Sequence, residues 1–362
     1  MKNYEKISPI QAILLLSVIR IAIVLLWFEF ENQDVWIVQI LSLFYVAILC
    51  ASLLYLGKKY PNQTLIEYLP AIIGKIAAKG LGFLYALFFL FLAALDLSLF
   101  DNIIKPINFP ATPDFVFVVI SLAVCAYSVY NGLECIARSA QFFTPLIFFV
   151  VALYAVLQIP DMDFKVFLPI LADSTFWEIN QRAFLNAARF NEIVVLAMLV
   201  PFISKKGETI KIFSWAVITI TVYSLIIILP TLAGLGLDVP KKTFDPYYLF
   251  IKQINIYDFI TRIEFLIVGA WNIGMFLKIS LMLHLSITCL VQSFGLKNRK
   301  LLILPMILII LIAALQTDLL KSVIVFNIIR IYIPYINLIF MSGIPSLVLA
   351  IFFLKNMPMN KK

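Results

Sequence analysis

Histidine occurs once in this chain of 362 residues, at His284, and charged residues make up only 13% of it. One imidazole cannot furnish the usual metal sites. The H-E-x-x-H, G-x-S-x-G and Walker-type G-x-x-x-x-G-K spacings are also missing, so no catalytic centre, metal or cofactor is expected. The four cysteines, Cys50, Cys125, Cys135 and Cys289, have no C-x-x-C spacing and sit within or beside apolar runs, which reads as free thiols in a packed interior. Low-complexity segments and soluble domains are absent. The first apolar run carries no small-residue cleavage site and is followed by many more, so it reads as an anchor and not a removed signal.

What the chain has in excess is apolar sequence: 63% hydrophobic residues and a mean hydropathy of +1.03. No soluble class fits those values, and a polytopic all-α membrane protein does. Ten spans can be drawn, at 10–28, 35–56, 81–104, 115–131, 140–158, 182–203, 212–236, 262–294, 301–316 and 328–354. Together they make one integral membrane domain over 1–362. Lys58, Lys59, Lys75, Lys79, Arg138, Lys205, Lys297, Arg299 and Lys300 fall in loops on one side. Glu29, Glu31, Asp34, Asp101, Asp114, Asp161, Asp163, Asp173, Asp238, Asp245, Asp258 and Asp318 fall on the other. The bias places both termini in the cytoplasm. It also accounts for the net charge of +8 without a nucleic-acid partner.

Residues 57–80 carry apolar side chains at helical spacing with lysines opposite, which reads as an amphipathic helix on the inner surface. Five spans on each side of an outer connection at 159–181 would have opposite topology. That count permits an inverted repeat, 8–158 and 182–355, with sites at interrupted first and sixth helices.

The charges inside the spans are the candidate site, because an ionised side chain at the bilayer centre costs about 2.5–3.5 kcal/mol on insertion scales. Glu192 interrupts the sixth span directly after Asn191. Asn tolerates left-handed backbone, so an unwound turn is expected there. Arg182, Asn186 and Arg189 precede it at i, i+4, i+7 and would share one face. Arg20 stands in the first span, in a run without Gly or internal Pro. It is open to an anionic ligand, to pairing with Glu192 or Asp96, or to snorkelling outward. Asp96 lies deep in the third span, where a structural hydrogen bond or ion pair competes with ligand contact. In the eighth span Glu264, Trp271 and Lys278 recur every seven residues, and Gly274 leaves room for a neighbouring helix beside Lys278. His284 lies off that face and reads as a core residue. Tyr127, Tyr130, Asn131 and Glu134 end the fourth span as interface anchors.

Several stretches in sequence order carry a resemblance: ISPIQAILLL, NQDVWIVQIL, GKKYPNQTLIEYL, LGFLYALFFLFLAAL, NEIVVLAMLVPFI and RIEFLIVGAWNIGMFLKIS. With Ile7-Ser8-Pro9, Asp34-x-Trp36, Glu192 with Pro201, and Arg262-x-Glu264 through Trp271 to Lys278, they resemble the B subunit of bacterial spore-germination nutrient receptors, from Ile7 to about Pro358. That family looks like permeases of the amino acid–polyamine–organocation superfamily. The resemblance implies a LeuT-like fold of 5+5 helices in the spore inner membrane or cell membrane of an endospore-forming bacterium. It implies a small-molecule germinant, often an amino acid, and two partners, a membrane A subunit and a lipoprotein C subunit.

The ligand residues would be Glu192, Lys278, Arg20, Asp96, Asn191, Asn186, Arg189 and Trp271. Two departures stand out. Relatives commonly break the first span at glycines, where this chain has Arg20-Ile21-Ala22-Ile23, and the Gly that often precedes the sixth-span Glu is Asn191. A secondary amino-acid transporter and a non-binding structural subunit are the alternatives to a nutrient-sensing subunit.

Overall fold

Long apolar segments in a bilayer must satisfy their backbone groups internally, and helices do so. The structure, a computed structural model, describes residues 6–26, 32–108, 110–243, 245–254, 264–317 and 328–356. Among these residues the regular structure is helical, with one isolated bridge between Ile7 and Ile203. Helix α1, Pro9–Leu26, starts on a reciprocal cap: Ser8 Oγ accepts from Gln11 N at 3.2 Å, and Gln11 Oε1 accepts from Ser8 N at 2.8 Å. Pro9 occupies the first helical position, where a missing N–H costs nothing. The Ile-Ser-Pro motif is thus a helix start.

Next come α2, Val35–Lys59, and the short α3, Leu65–Ile73, whose capping box joins Thr64 and Glu67. Then follow α4, Lys75–Asn108, α5, Asp114–Asn131, and α6, Leu133–Leu157. The sixth span is two helices, α7, Phe176–Ala187, and α8, Glu192–Leu199. Beyond it lie α9, Thr209–Leu235, and the short α10, Asp238–Lys242, and α11, Pro246–Lys252. The chain continues through α12, Glu264–Phe294, and α13, Ile303–Thr317. It closes with α14, Ile333–Leu338, and α15, Ile344–Asn356, each preceded by a π-helical turn.

Eight of these runs are long and apolar enough to cross a membrane. The shorter apolar helices α1 and α13 stand at the other two expected positions. The chain is an integral membrane protein. In the 18-residue apolar stretch of the broken span 83% of the residues are buried and in that of α12 78%, against 22% in the last span, so the first two are the core and the last lies at the rim. Helix α12 packs most extensively on α4, and α1 threads between α6, α9 and α12.

Several boundaries differ from the hydropathy reading. Helix α4 begins at Lys75 and α6 at Leu133, so Glu134 opens α6 and pairs with Arg138 instead of ending the fourth span. Gly132, at φ +95°, makes the turn between α5 and α6. The amphipathic stretch 57–80 is divided among α2, α3 and α4. The broken span begins at Phe176 and not at 182. Its start is the capping box Thr175–Glu178, an S/T-x-x-E signal that hydropathy does not see. Helix α1 runs unbroken from Pro9 to Leu26, so among the described residues of the first and sixth spans the interruption lies in the sixth. Glu29, Glu31, Asp258, Arg262 and Asp318 lie outside the described residues.

Both ends of the bundle are tied. At the lysine-rich end, Ile7 N donates to Phe202 O and Ser204 N to Ile7 O, each at 2.9 Å, fastening the start of α1 to the end of the broken span. At the acidic end, Gln33 Nε2 donates to Asp173 Oδ2 at 2.9 Å. Leu171 N donates to Asp34 Oδ1 at the same distance, holding down the loop before α7. Helix α11 lies over α1, α9 and α12 at that end. Its Phe250 ring rests on Gly234, where a Cβ would come within 2.6 Å.

Candidate functional site

The break spans Ala188 to Asn191. Its backbone closes in tight turns, Arg189 N to Asn186 O and Phe190 N to Ala187 O, each at 3.1 Å. Asn191 does not take the left-handed region. It sits at φ −68°, ψ −12°, so those turns interrupt the helix and not an Asn-specific conformation.

A broken helix exposes two sets of backbone groups with opposite partial charge. Each set meets a side chain of opposite sign. Arg20, 7% exposed, reaches from α1 and donates from Nη1 to Arg189 O at 2.9 Å. Its guanidinium lies over the Phe190 ring, 4.5 Å from the centroid. Arg20 therefore caps the end of α7. Glu192 opens α8, so its carboxylate lies at that helix's N-terminus. The charges of Arg20, Lys278 and Asp96 all act on it. Of the placements open to Arg20, the structure shows the guanidinium spent on the break and not on Asp96.

The partner of Asp96 is Lys278, with Nζ 3.2 Å from Oδ1 across the α4–α12 interface. The expected room at Gly274 is there: a Cβ at that position would meet Ala22 Cβ of α1 at 3.0 Å. Between α1, α4, α12 and the break lies a cavity of about 40 Å³, space for a few water-sized groups. Its polar lining is Arg20, Asp96, Arg189, Asn191, Glu192 and Lys278. Ile23, Leu92, Leu95, Leu99 and Ile333 form its apolar wall. Glu192 Oε2, Asp96 Oδ2, Asn191 Oδ1 and Arg20 Nε are buried with no hydrogen-bond partner among the described residues.

Two expected residues are not at the cavity. Asn186 Nδ2 donates to Gln39 Oε1 at 3.0 Å and to Ser42 Oγ at 3.1 Å, fastening α7 to α2. The shared face with Arg182 and Arg189 fails because α7 ends at Ala187, which takes Arg189 off the helical phase. Trp271 is fully buried with its ring centroid 6.0 Å from that of Tyr248. His284 is buried in α12, away from the cavity lining. The sequence reading missed the contribution of Phe190. An aromatic inside a polar interruption was the available signal.

Residues 6–322 match the family model described as "Spore germination protein". The chain is similar to "Spore germination protein KB" of Bacillus subtilis (strain 168), 26% identical over 299 residues, 78% of this chain and 77% of the relative. It is similar to "Spore germination protein GerQB" of Bacillus cereus, 24% identical over 312 residues, 84% of each chain. Among solved structures it resembles a Na⁺-coupled sialic acid symporter in a substrate-bound outward-open state. That match has a TM-score of 0.67 at 15% identity, over 94% of this chain and 78% of the other. The likeness shows the fold, a LeuT-like helical bundle.

Proposed function

The chain belongs to the spore germination protein family, and on that footing we propose that it is the membrane subunit of a germinant receptor, binding a small nutrient at the broken helix and passing the event on as a trigger. One observation carries the reading: five charged side chains, Arg20, Asp96, Arg189, Glu192 and Lys278, converge on one cavity between core helices of the bundle. Such residues are costly in a bilayer and mark ligand or ion pathways there.

An amino acid suits the site, because both signs of charge are present within it. In this reading the chain is no enzyme and sits in the spore inner membrane with both termini cytoplasmic. It works beside a membrane A subunit and a lipoprotein C subunit. Helices α1–α6 and α7–α15 form two inverted repeats meeting at the cavity. A second reading, a secondary amino-acid transporter, is supported by the permease-type fold and differs only in turnover.

The test pairs two measurements. Spores lacking this chain should lose the response to a nutrient while germinating normally with a receptor-independent trigger. Proteoliposomes of the pure chain should show no uptake of labelled amino acids above empty vesicles. Sustained uptake would favour the transporter, and an undiminished nutrient response without the chain would remove it from the receptor.

A further inference from the structure

The connection between α6 and α7 leaves large apolar side chains uncovered. Phe164, Leu168, Ile170, Leu171, Phe176 and Trp177 are all exposed, Leu171 to 52% and Trp177 to 75%. An aromatic belt at the headgroups accounts for Phe176 and Trp177, which open a span. It does not account for the aliphatic Leu168, Ile170 and Leu171, which stand in the loop before that span.

The loop is clamped and not slack. Residues just ahead of α2 hold it at several points. Gln33 Nε2 donates to Pro169 O at 3.2 Å as well as to Asp173, Asn32 Nδ2 donates to Ser174 Oγ, and Leu171 N donates to the buried Asp34. Within this clamp Leu171 sits at φ +61°, a left-handed conformation that a bulky side chain adopts only at a steric cost. Its side chain is half exposed, so packing within this chain offers little to offset that cost. Strained backbone of this kind collects where a group is held for a purpose, and exposed apolar patches mark contact sites.

The charge beside the patch decides the kind of contact. Asp161, Asp163, Asp173 and Glu178 are exposed along the same stretch, against a single Lys165. A segment that beds into a bilayer surface turns Lys and Arg toward the headgroups, and anionic lipid repels acids. An apolar centre with a polar rim is the anatomy of a protein interface, and an acidic rim is complemented by a basic one.

We propose that residues 164–177 form a docking surface for a protein on the acidic side of the membrane, one that offers an apolar groove bordered by Lys and Arg. Leu168 and Leu171 are the anchors, and Asp161 belongs to the rim. The surface is independent of what the cavity binds, because none of its residues lines the cavity.

The experiment places the photo-cross-linking residue p-benzoylphenylalanine at position 168 or 171 of the full chain in intact spores. Position 347, exposed on the rim helix α15, is the lipid-facing control. Both loop positions should give the same adduct, heavier than the chain by one protein, and position 347 should not give it. The partner peptide at the cross-link, read by mass spectrometry, should hold more Lys and Arg than Asp and Glu. Asp161→Lys should cut the adduct from position 168 severalfold. Leu171→Gly, which relieves the backbone and removes an anchor, should do the same while the purified chain melts no lower than wild type.

Adducts with phospholipid alone would make the loop a membrane anchor and overturn the proposal, as would no adduct at all. An adduct of twice the chain's mass that holds only its own peptides would make the surface a contact between copies and overturn it as well. An acidic partner peptide, or an adduct indifferent to Asp161→Lys, would contradict the basic groove. A lower melting temperature in Leu171→Gly would show that the side chain serves its own fold and not a partner. Should Asp161→Lys fail to accumulate, the adducts of the otherwise unaltered chain still decide.

Discussion

Lys278 Nζ lies 3.2 Å from Asp96 Oδ1, with the two side chains 4% and 7% exposed, and this contact joins the helices α4 and α12 that pack most extensively. Removing one partner of such a pair strands a buried charge and costs about 3–5 kcal/mol, while replacing both by apolar residues is often neutral. Lys278→Met alone should therefore lower thermal stability strongly, and Asp96→Leu with Lys278→Met should recover most of the loss. The check is a double-mutant cycle on melting temperature in nanodiscs. Simple additivity of the two losses would show that the pair does not act as a unit.

Glycine at position 274 sets how closely α1 approaches α12 beside the cavity. A Cβ there would stand 3.0 Å from Ala22 Cβ, so neighbouring backbone must give way. Gly274→Leu should cost about 1–3 kcal/mol as overpacking. Gly274→Ala should cost less and be relieved by Ala22→Gly. If Ala22→Gly does not relieve Gly274→Ala, the two helices do not meet there.

Helix α11 should dock more firmly in mild acid. Asp245, half-buried at its start, has its carboxyl raised above the usual value by burial, against the opposing pull of its own backbone N–H and of Lys252. A raised carboxylate favours the docked state while protonated. That contribution is whole below the ordinary aspartate value of about 3.9 and is lost as pH rises through the raised one. Hydrogen exchange over 246–252, corrected for intrinsic rate, should be slower at acidic than at neutral pH, and Asp245→Asn should abolish the difference. An unchanged pH dependence in Asp245→Asn would assign it to another group.

How much of this was legible in the sequence depends on the kind of interaction. The spans were readable because a bilayer demands long apolar runs, and the interruption at Asn191-Glu192 stood out as polar residues inside one. The onset of α7 was missed because Thr175 and Glu178 work through local hydrogen bonds that hydropathy ignores. The family residues Glu192 and Lys278 do share a cavity. The ion pair, however, is Lys278 with Asp96, and Arg20 serves the backbone of the break. Partner choice across packed helices depends on rotation and tilt, which spacing along one chain does not encode. Asn186 and Trp271 illustrate the same limit, since each sits on the expected helix and packs against other neighbours.

The central claim is that the carboxylate at the head of α8 works in nutrient sensing, and Glu192→Gln tests it most directly because it removes the charge and keeps the shape. In spores that contain normal amounts of the variant, germination should fail or slow at least tenfold with nutrient. The response to a receptor-independent trigger should stay intact. A normal nutrient response in those spores would contradict the account, because it would take Glu192 out of the site around which the cavity is built.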